Sequence, residues 1–180
     1  VYFIDNEDYF HRKSVFVDKN NKFHQDNDER AIFFCKGVLE TVKKLGWAPD
    51  IVHCNDWMTG LIPLYLKTTY KKDPIFKDSK SMFTVYNHNY KHQFDGDLLE
   101  KVKMLDIEDS MLEHLKNADL NSFIKIGMEY ADSVIKTNEN FSENISELFN
   151  EYMQTKSIST VSADDTLLDS YYNLYNELSR

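Results

Sequence analysis

An α/β chain with a parallel sheet and helices on both of its faces is the fold class that the sequence predicts. Three observations predict it. Short apolar runs rich in β-formers alternate with helical patterns along the chain. Clusters of Asp, Asn and Lys punctuate those segments as turns and caps do. Aromatics are plentiful, with 12 Phe and 11 Tyr, against only 5 Gly and 3 Pro, which is a globular composition. A chain of 180 residues suits one domain. It buries roughly 70% of the surface its unfolded form exposes, enough for a core without disulfides or metals.

Val1-Tyr2-Phe3-Ile4, closed by Asp5-Asn6, reads as a buried strand. Because the chain opens in mid-strand, earlier strands are expected to precede it. Asp18-Lys19-Asn20-Asn21-Lys22 is a turn cluster. A helix opens at Asp26 to Arg30, where Asp26 or Asn27 can cap it and the acids suit a positive helix end. Phe34, Val38, Val42 and Leu45 recur at helical spacing and are expected to face the core, and Gly46 takes the left-handed stop. Ile51-Val52-His53-Cys54 is the second strand. A helix over about 57–70 follows, with Pro63 expected to kink it. Residues 81–86 form the third strand. Beyond a charged stretch with short helices near 98–104 and 111–115, a helix spans about 122–131. Ser133-Val134-Ile135 is a fourth strand, 145–152 a helix, and 158–161 a fifth strand. From about Asp164 the chain ends on an amphipathic helix, with Leu167, Leu168, Tyr171, Leu174, Tyr175 and Leu178 on its apolar side. This end reads as a natural stop.

With 21 basic and 30 acidic side chains the formal charge is −9. Phosphate backbones and anionic lipid are repelled by such a surface, so neither nucleic acid nor membrane is expected as a partner. No run of 18 apolar residues exists to span a bilayer, and no signal peptide is visible. Two cysteines, Cys35 and Cys54, are too few for a disulfide framework, which points to a reducing, cytoplasmic compartment.

Ligands of open parallel sheets bind beyond the carboxyl ends of the strands. One strand here ends in Asn55-Asp56-Trp57 and another in Asn87-His88-Asn89-Tyr90. A carboxylate, an amide and an aromatic ring in one crevice suit a sugar: the polar groups bond hydroxyls, and the ring covers the apolar face of a pyranose. Each residue also has a plain structural reading. Asp56 can cap the following helix. Trp57 can be core. His53, on a buried strand, can be a satisfied core histidine, and Tyr86 and Tyr90 can close a sheet edge. His88 and His92 are four apart, but their segment does not read as a helix and no full ligand set accompanies them, so no metal is expected.

Several ordered motifs carry a resemblance. Pro49-Asp50-Ile51-Val52-His53-Cys54-Asn55-Asp56-Trp57-Met58-Thr59-Gly60-Leu61, then Pro63-Leu64-Tyr65-Leu66, resembles the P-D-[IV]-[IV]-H-x-H-D-W-x-[TA]-[GA]-L-x-P-x-Y-L segment of the glycogen/starch synthase family. Asp26 to Arg30 with Phe33-Phe34 resembles its D-N-x-x-R-F stretch. Tyr2 to Asn6 and Tyr9 to Arg12 resemble the region before that. Phe83-Thr84-Val85-Tyr86-Asn87 and Tyr90 fall on F-T-[IV]-H-N-x-x-Y, and Tyr130-Ala131-Asp132-Ser133-Val134 on Y-A-D-x-[IV].

The resemblance implies a Rossmann-like sheet that forms part of the N-terminal, acceptor-side domain of a GT-B glycosyltransferase. On this basis residues 1–180 are expected to be a single partial domain, lacking the opening strands and the donor-binding second domain. The implied reaction is retaining transfer of glucose from ADP-glucose, as co-substrate, to an α-1,4-glucan, without metal or cofactor. Implied substrate-binding residues are Asp56, Trp57, Asn87, His53 and Tyr86. No catalytic residue is assigned. The departures are specific: Tyr86 stands where the family has His, Asn55 where it has the second His of H-x-H-D-W, and His92 where it has Gly. Asn138-Glu139 replace the Ser-Pro of T-V-S-P, and the donor-phosphate loop is absent. Two functions are therefore expected. One is the acceptor part of a glucan glucosyltransferase that is inactive as this chain alone, with α-glucan or glycogen as partner and a second subunit supplying the donor half. The other is a non-catalytic glucan-binding or regulatory subunit.

Overall fold

The computed structural model describes residues 1–88, 92–104, 106–137, 140–161 and 167–179. Its centre is a four-stranded parallel sheet of β1 (Ile51–Asn55), β2 (Lys80–Val85), β3 (Ser133–Thr137) and β4 (Ile158–Val161), in that spatial order. Parallel neighbours need crossover connections, and helices supply them. Between β1 and β2 runs α3 (Leu61–Lys67), and between β2 and β3 run α4 (Leu98–Val102) and α5 (Leu120–Tyr130). Between β3 and β4 runs α6 (Glu143–Tyr152). The short α1 (Glu7–Phe10) and long α2 (Asn27–Leu45) precede the sheet, and α7 (Leu167–Leu178) follows it.

Alternation along the strands decides what each face buries. Cys54, Phe83, Val85 and Val134 join the large core with α2, α3, α5 and α6. Met82, Ile135 and Val161 face the other way, and α7 covers them with Leu167, Tyr171, Leu174, Tyr175 and Leu178. Helices thus lie on both faces. Leu168 of α7 points to solvent. Asp164 and Asp165, from which the final helix was expected to start, lie outside the described residues.

Four expectations are corrected. Val1 to Ile4 forms no strand, and Val1, Tyr2 and Phe3 are exposed. An apolar run becomes a strand only where a neighbour offers ladder hydrogen bonds, and among the described residues none does so for this run. The core-facing row of α2 is Ala31, Ile32, Cys35 and Leu39 rather than the row that ends at Leu45, which is exposed. Val38 and Val42 only flank the core. Residues 57–70 are not one kinked helix. A 3₁₀ turn spans Trp57–Thr59, α3 begins at Leu61, and Pro63 sits harmlessly in its first turn. Neither Asp26 nor Asp56 caps a helix through its side chain.

Asp26 does something else. Its carboxylate takes both terminal nitrogens of Arg12, at 2.8 and 2.5 Å. Asn27 donates to the Phe16 carbonyl, and buried Arg30 donates to the carbonyls of Tyr9 and Val15. Together they strap α1 and the irregular residues 11–25 onto α2. The turn at 18–22 is held by Asp18 Oδ1, which accepts from the backbone N–H of Asn20 and Lys22.

Asp132 is the second knot. Its carboxylate accepts from the Ser81 backbone N–H at 2.8 Å, the Ser81 hydroxyl at 3.1 Å, and the Lys67 ammonium. One side chain thereby joins α3, the start of β2 and the start of β3. Burial pushes its carboxyl up, but Lys67 and Ser81 outweigh burial and hold it below the usual carboxylate range.

A methyl at Gly60 would lie 2.3 Å from the Phe123 carbonyl oxygen of α5. Gly60→Ala is expected to cost about 1–3 kcal/mol, read as a lower urea midpoint at unchanged slope. Because the Asp132 carboxyl is depressed in the folded state, its stabilisation is full above the unfolded value near about 3.9 and is lost as pH falls through the folded value. The urea midpoints of wild type and Asp132→Asn should therefore differ at pH 7 and converge below about pH 4. A constant gap would contradict this.

Candidate functional site

Because β1, β2 and β3 are parallel neighbours, their carboxyl ends lie side by side at one edge of the sheet, termed the mouth. Sequence reasoning expected the loops after β1 and β2 to share a crevice, and these strands are hydrogen-bonded neighbours, with Asn55 opposite Thr84. The ladder runs one step further, since the Asp56 backbone N–H donates to the Thr84 carbonyl at 2.9 Å.

At Asp56 the chain turns sharply, with φ 62° and ψ 174°. That region is essentially reserved for glycine, and a residue with a Cβ held there stores of order 1–3 kcal/mol of strain. Tertiary contacts over-determine it. The Asp56 carbonyl accepts from both the backbone N–H and the hydroxyl of Thr59. The next residue, Trp57, is fully buried, and its indole is ringed by Phe16 at 5.3 Å, Phe23 at 5.8 Å, Phe123 at 6.0 Å and Phe94 at 6.3 Å. Asp56 is half-buried, and its Oδ1 is buried.

From β2, Tyr86 crosses the end of β1, and its hydroxyl donates to Asn55 Oδ1 at 3.3 Å. Asn87 turns towards the third strand. Its Nδ2 donates to the Asn140 carbonyl at 2.9 Å, and its Oδ1 accepts from the Ser142 backbone N–H at 3.0 Å. The amide thus ties the β2 exit to the segment that opens α6. Tyr90, Asn138 and Glu139 lie outside the described residues.

His53 is elsewhere. It points to the α7 face, where Nδ1 pairs with the Tyr175 hydroxyl and Nε2 with the Thr84 hydroxyl, both at 2.7 Å. Burial lowers its pKa, which favours the neutral ring. A neutral imidazole has one donor and one acceptor, and both are used here. Cys35 and Cys54 are both buried and unbridged. His92 packs on Phe23 and Phe94. Among the described residues no group of three or more His, Cys, Asp or Glu gathers as a metal site, and no helix is long and apolar enough to cross a membrane.

Of the expected site residues, Asp56 and Tyr86 follow neighbouring strands, Tyr86 reaching Asn55 beside Asp56, and Asn87 ties the β2 exit to the segment that opens α6. Trp57 lies beneath as core and His53 behind the sheet. Sequence reasoning did not foresee that Asn55 meets Tyr86, nor that Asn140 and Ser142 hold Asn87. Applying the strand-end rule to the third strand would have drawn in the latter two.

Starch synthase catalytic domains are the family whose model matches residues 1–158. The chain belongs to the starch synthase catalytic domain family. It is 39% identical to a glycogen synthase of Desulforudis audaxviator over 145 residues, 81% of this chain and 28% of that protein. To the glycogen synthase of Clostridium perfringens it is 35% identical over 144 residues, 80% of this chain and 29% of that protein. The chain thus spans under a third of the length of these relatives. Its fold matches the catalytic domain of starch synthase IV from Arabidopsis thaliana, solved with ADP and acarbose, at a TM-score of 0.60 and 19% identity, over 82% of this chain and 32% of that one. The sheet is therefore that of a GT-B starch synthase domain, and the H-x-H-D-W-like segment of the family forms the β1 exit.

Strain at Asp56 makes a prediction. Asp56→Gly relieves the backbone while deleting the carboxylate, so the folded protein should gain about 1 kcal/mol in urea titrations. A loss of stability would mean that the carboxylate supports the fold instead.

Proposed function

We propose that this mouth binds the non-reducing end of an α-1,4-glucan, and that the protein is the acceptor side of a glucosyltransferase using ADP-glucose. The observation that carries the reading is Asp56. A carboxylate kept in a glycine-only conformation at a strand's carboxyl end, in a chain of this family, is best explained by a ligand it must face. The carboxylate accepts from sugar hydroxyls, and bonds to a charged acceptor are the stronger kind. Tyr86, following β2, reaches Asn55, the residue before Asp56. Trp57 supports the loop from the core, and Asn87 fixes the β2 exit against the segment that opens α6. On this reading His53 acts only through Thr84 and α7.

The donor sugar would be held by the part of the glucosyltransferase outside this chain, in the same polypeptide or a second subunit. No metal or further cofactor enters the scheme. Two buried free thiols suit a reducing compartment, and the cytoplasm is the proposed location. The second reading, glucan binding without transfer, draws on one observation: a phenol stands at position 86 where the family has an imidazole.

The test is glucose transfer from ADP-glucose to glycogen by protein made from the complete natural reading frame. Transfer is expected, and Asp56→Ala should lower it about 10- to 100-fold, the worth of a hydrogen bond to a charged group. Folded protein that binds glycogen but never transfers would leave the second reading. Folded protein that ignores glycogen would overturn both.

A further inference from the structure

A second cleft lies where β1 begins, at the end of the strand away from the mouth. Trp47, Pro49, Asp50 and Ile51 line it from the chain entering β1, and Tyr175 and Ser179 line it from α7. Its volume is about 370 Å³, within the range of small-molecule sites. The chain has two tryptophans, and they differ sharply: Trp57 is fully buried, whereas Trp47 is 61% exposed. Asp50 is exposed too. Its backbone carbonyl accepts from the Lys80 N–H at 2.9 Å, but among the described residues its carboxylate has no hydrogen-bond or ion-pair partner. The Ser179 hydroxyl donates to the Tyr175 carbonyl at 2.8 Å, so what it offers a ligand is its lone pairs. His53 also borders the cleft, but both of its ring nitrogens are already bonded.

We propose that this cleft is a second saccharide site, which holds an α-glucan segment away from the mouth, with Trp47 against a sugar ring and Asp50 and Ser179 accepting from its hydroxyls. The choice of an α-glucan rests on the glucan-binding reading above, but the site uses no residue of the mouth. A pyranose has an apolar face and a rim of hydroxyl donors. An open indole covers the first, and a free carboxylate beside a hydroxyl oxygen takes the second. Among the described residues that line the cleft none is Lys or Arg, and Asp50 is acidic, so a phosphate or nucleotide finds no counter-charge there. The α7 wall lies beyond residue 158, where the family match ends, so the cleft is a feature of this chain and not of the matched domain alone. A polymer held at two places on one protein dissociates from both far less often than from either one. The site would therefore keep a long glucan close to the mouth while its end is bound there.

The experiment is a calorimetric titration with maltoheptaose of protein from the complete natural reading frame, as wild type, Trp47→Ala, Asp50→Asn and Asp56→Ala. Wild type is expected to take up a second maltoheptaose per chain. Trp47→Ala should weaken that second uptake about tenfold, the worth of roughly 60 Å² of ring surface removed from water. Asp50→Asn should weaken it about fivefold, within the range of one hydrogen bond to a charged group. Asp56→Ala should leave it unchanged. Iodide should quench a part of the fluorescence that Trp47→Ala lacks, and maltoheptaose should protect that part in wild type and in Asp56→Ala alike. Equal urea midpoints for wild type and Asp50→Asn would exclude loss of fold. If Trp47→Ala and Asp50→Asn both bind as wild type does, the cleft site is overturned, and the mouth stands provided that Asp56→Ala weakens binding. Binding weakened by Trp47→Ala but untouched by Asp56→Ala would overturn the mouth and keep the cleft. No maltoheptaose binding by the wild type would overturn both.

Discussion

The indole of Trp57 is the point on which the rest of the structure closes. Phe16 and Phe23 reach it from the irregular N-terminal arm, Phe94 from the segment after β2, and Phe123 from α5. Aromatic pairs in tilted and edge-on geometry add to the large area such rings bury. Because these side chains come from segments far apart in sequence, their packing fixes the β1 exit only when the whole domain has formed. Gly60, three residues on, brings the turn against the Phe123 carbonyl so closely that no side chain fits between them. The strained backbone at Asp56 is held between the parallel ladder on one side and this packed cluster on the other.

Much of the polar chemistry that marks the family proves to be architecture. The Asp26-to-Arg30 motif straps the arm to α2 through Arg12 and three carbonyls. Asp132 of the Y-A-D stretch joins α3, β2 and β3. His53 carries the hydroxyl of Tyr175 from the covering helix α7. The family model ends at residue 158, so α7 lies beyond its match. It nevertheless covers the second face of the sheet, and it does so lightly, with none of its residues fully buried. An amphipathic helix gains most of its stability from such a face rather than from its own propensity.

The limits of sequence reasoning follow from what periodicity encodes. The four strands β1 to β4 were legible as apolar runs at 51–54, 81–86, 133–135 and 158–161, since a buried parallel strand needs such residues on both faces. Val1 to Ile4 has the same composition and forms no strand, because composition carries no information about a pairing partner. In α2 the spacing foretold a helix but not its rotation. The core row was set by contact with α3 and the Trp57 turn, which left Leu45 in solvent.

By itself the sequence determined the α/β class, the alternation of parallel strands with helices, the family, and the two strand exits that carry the candidate residues. These depend on residue type and spacing, which are local and repeat along the chain. Only the tertiary structure decided what each candidate residue does. Trp57 was turned inward, His53 was turned under α7, Asn87 became a brace, and Tyr86 was brought to Asn55. The reason is that a side chain's role is set by which neighbours pack around it, and for these residues the neighbours come from distant parts of the chain.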